Sequence, residues 1–160
     1  MLRWLALVVL AGLLAAACGS SAAAPTLPPA QTLPETPLSL SQGGHAEHVS
    51  VQVASTEPQR ETGLMWVQSM PADTGMLFVF GGDSTVGFWM QNTYIPLDIA
   101  YISAEGEVLG IVHGKPLDAT VLDPPGPYRY ALEMNAGWFE GHGLGKGATV
   151  SFLKKLPPAS

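Results

Sequence analysis

This chain of 160 residues has a single cysteine, Cys18, and only seven Lys and Arg against thirteen Asp and Glu. A lone cysteine makes no internal disulfide, so no cystine framework holds the fold together. The net charge of −6 repels phosphate backbones, and no basic stripe with interleaved aromatics offsets it. Nucleic acid is therefore excluded as the expected partner. No apolar run reaches bilayer-spanning length. GxSxG, HExxH and CxxC are also missing, so neither a familiar hydrolase, nor a zincin, nor a thiol oxidoreductase is indicated. The glycine-rich GHGLGKGAT lacks the GxxxxGK[ST] spacing and precedes its strand instead of following one, which sets aside a phosphate loop.

What is present begins with an export signal. One positive charge, Arg3, leads into WLALVVLAGLL, an h-region too short to span and of the right length for a signal peptide over residues 1–17. The run closes with Ala15, Ala16, Ala17 and Cys18. This resembles the lipobox of bacterial lipoproteins, although Leu14 stands four residues before the cysteine instead of three. The resemblance implies a lipidated Cys18, the bacterial membrane as a partner through that anchor, and an extracytoplasmic place in the cell envelope. Ordinary cleavage at the alanines, with Cys18 a spectator, is the alternative.

Residues 18–47 then read as a lipid-anchored, Pro- and Ala-rich linker. Pro25, Pro28, Pro29, Pro34 and Pro37 deny it a helix or a central strand. His45, Glu47 and His48 are spaced too tightly for a closed tetrahedral set, so no metal and no cofactor is assigned.

The expected domain runs over 48–155, with a tail at 156–160. Val49, Val51 and Val53 alternate with polar residues as a half-buried strand does. Thr56 reads as a helix N-cap, with Gln59 completing a capping box and a helix from Glu57 to about Met65. Gly75 to Phe80 is apolar throughout after its glycine and predicts a strand covered on both faces. Further strands are expected at Val86–Met90, Ile95–Ile102, Glu107–His113, Tyr130–Met134 and Ala148–Leu153, with a helical turn at Ala136–His142. In the second of these, Ile95, Leu97, Ile99 and Tyr101 share one face, and Asp98 and Ala100 share the other. The fold class is mainly β: a compact, antiparallel β-sandwich or barrel-like domain with one or two short helices.

The strings RETGLM, GMLFVF, FWMQNTYIPLDIAYI and YALEMNAGWFEGHGLGKGATV, in this order, resemble the domain of unknown function 192 family over roughly Val49 to Phe152. The resemblance implies a small β-sandwich-like barrel, often exported, and implies no activity. Gln91 stands where a lysine is common in FWMKNT, and Trp66 and Val67 replace a basic residue after GLM. Both departures weaken an anionic-ligand reading.

Five residues are candidates for binding: Arg60, Trp89, Asn92, Asp98 and Glu133. Asp98 lies inside PLDIAYI, where a carboxylate needs hydrogen bonds or a cation. A structural pair with Arg60 is the favoured account of it. Glu133, inside YALEM, carries the same ambiguity, and two carboxylates can flank a sugar linkage as acid and base. Asn92 suits a left-handed turn after FWM, and beside Trp89 it also suits a sugar or small polar ligand. Met65, Met76, Met90 and Met134 raise Cu(I) binding, with core packing the favoured account. No catalytic residue is assigned. The expected function is an envelope binding module for a small molecule, glycan or protein. The alternatives are a carbohydrate-active enzyme using Asp98 and Glu133, and Met-based copper binding.

Overall fold

The structure, a computed structural model, describes residues 26–160; the expected signal peptide and Cys18 lie outside that range. In chain order the elements are β1 Glu35–Gln42, β2 His45–Ala54, α1 Glu57–Thr62, β3 Thr74–Ser84, β4 Leu97–Ile102, β5 Val108–Gly114, β6 Tyr128–Asn135, α2 Trp138–Gly141 and β7 Thr149–Phe152. All seven strands form one mixed sheet ordered β5-β4-β6-β3-β2-β1-β7. Five of its pairings are antiparallel. The exception is β2 beside β3, which run parallel; a parallel pair needs a crossover, and α1 with the turns after it supplies one. The sheet curls until its outer strands touch at one end, where Glu107 bridges Thr149 and the Val108 N–H donates to the Ala148 carbonyl at 2.8 Å. It does not close into a continuous ladder. The expected mainly β, sandwich-like domain is observed.

The linker reading fails from Glu35 onward. β1 pairs with β2 over its whole length and with β7 from Leu38 to Ser41. Leu38 and Leu40 alternate with Ser39 and Ser41, and both leucines are fully buried. The turn between the strands is Gly43-Gly44, both at positive φ (59° and 85°), the backbone that a two-residue hairpin with native twist requires. Pro37 is tolerated because it precedes the stretch that pairs with β7, and its carbonyl still accepts from the Leu153 N–H. The tail is likewise part of the domain: Leu156 and Ala159 pack against the core, and the Ser160 N–H donates to the Ser55 carbonyl.

Both faces of the sheet are covered, as the unbroken apolar run in β3 predicts. One face buries Leu38, Leu40, Val51, Leu77, Ala100, Ile102, Leu132, Met134 and the α2 aromatics Trp138 and Phe139. The other buries Met76, Phe78, Met90, Leu97, Ile99, Tyr101, Tyr128 and Ala131. A side chain buried fully on either face is worth about 1.5–3 kcal/mol. Gly75 is needed where β3 meets β6, because a Cβ there would stand 2.2 Å from the Glu133 carbonyl oxygen.

Two local features set up the second face. Helix α1 starts as expected, with Gln59 Oε1 accepting from the Thr56 and Ser55 N–H groups at 3.0 Å. It stops at Thr62, three residues short of expectation, because Gly63 turns at φ 48° and sits against the Phe78 ring. The expected strand at Val86–Met90 does not form. Its neighbour is the proline-containing 115–127 loop, which pairs with it only at Phe88 and Leu122. That exchange, together with the Met90 N–H to Asp118 carbonyl bond, holds the FWMQNT segment as an irregular flap.

Candidate functional site

Helix α1, the outer end of β3 and the flap enclose a groove of about 820 Å³ over the second face of the sheet, a volume within the range of small-molecule sites. Its walls are Leu64, Phe78, Phe80, Phe88 and Tyr128, with Val86, Trp89 and Val121 at the mouth. Trp89 is half exposed (50%). The rings interlock edge to face: Phe78 with Phe88 at 4.9 Å and Phe80 with Tyr128 at 5.2 Å between centroids. Such pairs contribute beyond their buried area.

Glu133 belongs to this groove. It stands on β6 opposite Ile99 of β4 and Met76 of β3, only 4% exposed, and its Oε2 is buried without a hydrogen-bond partner. Desolvation by burial pushes its carboxyl up to about 8. The nearby phenols do not relieve it. Tyr128 donates its hydroxyl hydrogen to the Val86 carbonyl (2.6 Å) and Tyr101 to that of Leu122 (2.5 Å). Burial holds both phenols above their ordinary range.

Arg60 also lines the groove, but its guanidinium is already engaged. It donates to the carbonyls of Ser55, Val79 and Ser160 and lies 5.2 Å from the Phe80 ring centre. It is a clamp joining α1 to β3 and to the end of the chain. The pair with Asp98 considered from sequence does not form.

Asp98 lies on the opposite face. It is 1% exposed and accepts from the Gly137 N–H at 2.8 Å and from His113 Nδ1 at 2.6 Å. Because Asp98 faces Met134 in the register while Glu133 faces Ile99, the two carboxylates point to opposite sides of the sheet. They cannot flank one glycosidic bond, so the acid and base pairing loses its geometric basis.

Asn92 adopts φ 58°, the left-handed turn expected of it. Its carbonyl accepts from the Trp66 N–H (2.7 Å) and its side-chain amide approaches Met65 Sδ, so it props the flap from beside the groove. Met76 and Met90 pack on the groove face and Met134 on the other. The four thioethers therefore share no site. His45 reaches only Glu47, at 2.8 Å. Among the described residues, no group of three or more His, Cys, Asp or Glu is arranged to hold a metal ion.

The structure thus brings Arg60, Trp89 and Glu133 to one groove, sets Asn92 at its edge and removes Asp98 from it. Sequence reasoning missed Phe80, Tyr128, Glu57 and Glu61 in the lining, which nothing local distinguishes from surface or core residues. It also missed His113 as the partner of Asp98, although the hairpin turn at Ser103–Gly106 nearly sets that register.

Fold and groove together define a small β domain, one mixed sheet with an open, apolar, aromatic-walled groove on one face. The chain belongs to the domain of unknown function 192 (DUF192) family, described as uncharacterized ACR, which it matches over residues 38–152. It is similar to a Sinorhizobium meliloti 1021 protein described as a candidate transcription regulator. Identity is 33% over 76% of this chain and 96% of that one, with a TM-score of 0.73. It is also similar to a protein of unknown function from Novosphingobium aromaticivorans DSM 12444. There identity is 30% over 82% of this chain and 94% of that one, with a TM-score of 0.74. No curated protein matches the sequence.

Proposed function

We propose that this chain is an exported envelope protein, anchored through a lipid on Cys18, whose domain is a non-catalytic module binding a small ligand with an apolar body. The groove carries this reading. It has the volume of a small-molecule site, apolar and aromatic walls and a single buried carboxyl. The signal-like start and the Ala-Ala-Ala-Cys sequence support export and anchoring. The acidic surface, at net charge −6, speaks against carrying over the regulator description of one structural relative to a nucleic-acid role.

Titration with the neutral fluorophore N-phenyl-1-naphthylamine tests the module. Saturable binding is expected, lost in Thr62→Trp, which places a bulky ring on the groove wall. Equal binding by both proteins removes the groove from the account. Globomycin-sensitive processing and labelling of Cys18 with a fatty acid analogue, both lost in Cys18→Ser, test the anchor.

A further inference from the structure

The groove combines three features that a merely apolar pocket does not need. The first is Glu133 itself, 96% withdrawn from solvent, with Oε2 unpartnered. An unpaired buried carboxyl is costly to the fold, and every neighbouring donor is committed elsewhere: Tyr101 and Tyr128 to backbone carbonyls, Arg60 to three carbonyls and a ring. The second is the wall of aromatic rings contributed by Phe78, Phe80, Phe88 and Tyr128, a kind of wall that attracts cations when water is excluded and that already holds the Arg60 guanidinium over Phe80. The third is charge. One arginine accompanies Glu57, Glu61 and Glu133 in the lining, so carboxyls outnumber cationic groups three to one, a balance that favours cations over anions.

Resting on the binding reading above, we propose that the groove selects an ammonium head, primary or quaternary, carried on an apolar stem, and that Glu133 is the residue that receives it. The stem lies along the aromatic wall toward Trp89. A cation seated at Glu133 replaces the proton there, so binding releases one proton as long as the free protein holds it. Burial pushes Glu133 up to about 8. Affinity for a permanently charged ammonium therefore rises with pH, about tenfold per unit, and levels off above that value. A neutral ligand that accepts a hydrogen bond from the protonated acid behaves oppositely, weakening above it. The other charged or titratable groups on this side of the sheet are Glu57, Arg60 and Glu61 on α1, Tyr101 on β4, Tyr128 on β6 and Asp123 in the 115–127 loop. Both phenols are held above their ordinary range by burial.

The test is isothermal titration of the domain with octyltrimethylammonium, whose charge does not titrate, and with 1-octanol, at pH 6, 7 and 8. The expected result is tighter binding of the ammonium at pH 8 by tenfold or more. That preference should shrink about tenfold per unit toward pH 6 and vanish in Glu133→Gln, with urea melts confirming that the variant is folded. Equal binding of octanol and ammonium, or unchanged ammonium affinity in folded Glu133→Gln, overturns the ammonium assignment while leaving the groove as a binding site. Binding of neither compound by the folded protein brings down the groove reading itself. Flotation with phosphatidylcholine vesicles presents the same head on a lipid. Glu133-dependent binding to either form upholds the assignment, and the two arms separate a free ammonium compound from a lipid headgroup.

Discussion

Asp98 and Glu133 sit one rung apart on neighbouring strands, are buried to nearly the same degree, and have opposite surroundings. Asp98 meets a backbone N–H and an imidazole at the corner beside α2. Glu133 lines the aromatic groove with no hydrogen-bond partner at its Oε2. Burial therefore does not decide whether a carboxyl is structural or available for a ligand. What decides is whether the fold delivers donors to it.

The largest expected effect concerns Glu133 and pH. Its folded value, about 8, lies above the ordinary 4.5. The folded state thus holds a proton that the unfolded chain gives up, and stability falls as pH rises between those values. Over that window the loss should amount to several kcal/mol, at most about 1.4 kcal/mol per pH unit. It should largely disappear in Glu133→Gln, as read from urea midpoints at pH 5, 6.5 and 8. A wild-type protein equally stable across the range would place Glu133 in the same class as Asp98.

Next, Asp98→Ala should cost about 2–4 kcal/mol, because it strips a charge-assisted partner from the Gly137 N–H in a buried corner. Urea unfolding at neutral pH measures it. Glu133→Leu should by contrast stabilise the domain while abolishing ammonium binding, the usual signature of a site kept at the expense of stability. His113→Gln should cost no more than about 1 kcal/mol. Its side chain is 76% exposed, so water can replace its contact, and Asp98 keeps its bond to Gly137. Smallest of all, Trp89→Ala should shift stability by less than about 0.5 kcal/mol, as expected of an exposed ring, yet weaken ligand binding at the groove mouth. A large stability loss there would mean that the flap, not the ligand, depends on the indole.

The same contrast accounts for what was legible in the sequence. Periodicity resolved β3, β4 and the Thr56 cap, because alternation and capping are local properties. It gives a linker in place of β1, because the prolines at 25–37 mask the short alternation of Leu38 and Leu40 ahead of the Gly43-Gly44 turn. It placed a strand at Val86–Met90, where β propensity is high but the sheet offers no neighbour. Among the candidate residues, Asn92 was legible from turn chemistry. The separation of Asp98 from Glu133 was not, since it depends on strand order and register. Arg60 stands out in the sequence as a scarce cation, but its partners are the carbonyls of nearby Ser55 and of Val79 and Ser160 much farther along the chain, which no spacing reveals.

The placement of β1 has a mechanical consequence. Any load carried by the preceding chain meets first the bonds of Gln31 to the Gln59 and Gly63 carbonyls and then a strand bonded to β2 along eight residue pairs and to β7 along four. A pull along that strand must shear two ladders together; it cannot unzip an edge one bond at a time. β1 is thus among the parts of the fold best built to bear tension, while Gln31, just ahead of it, couples the same stretch of chain to the α1 wall of the groove.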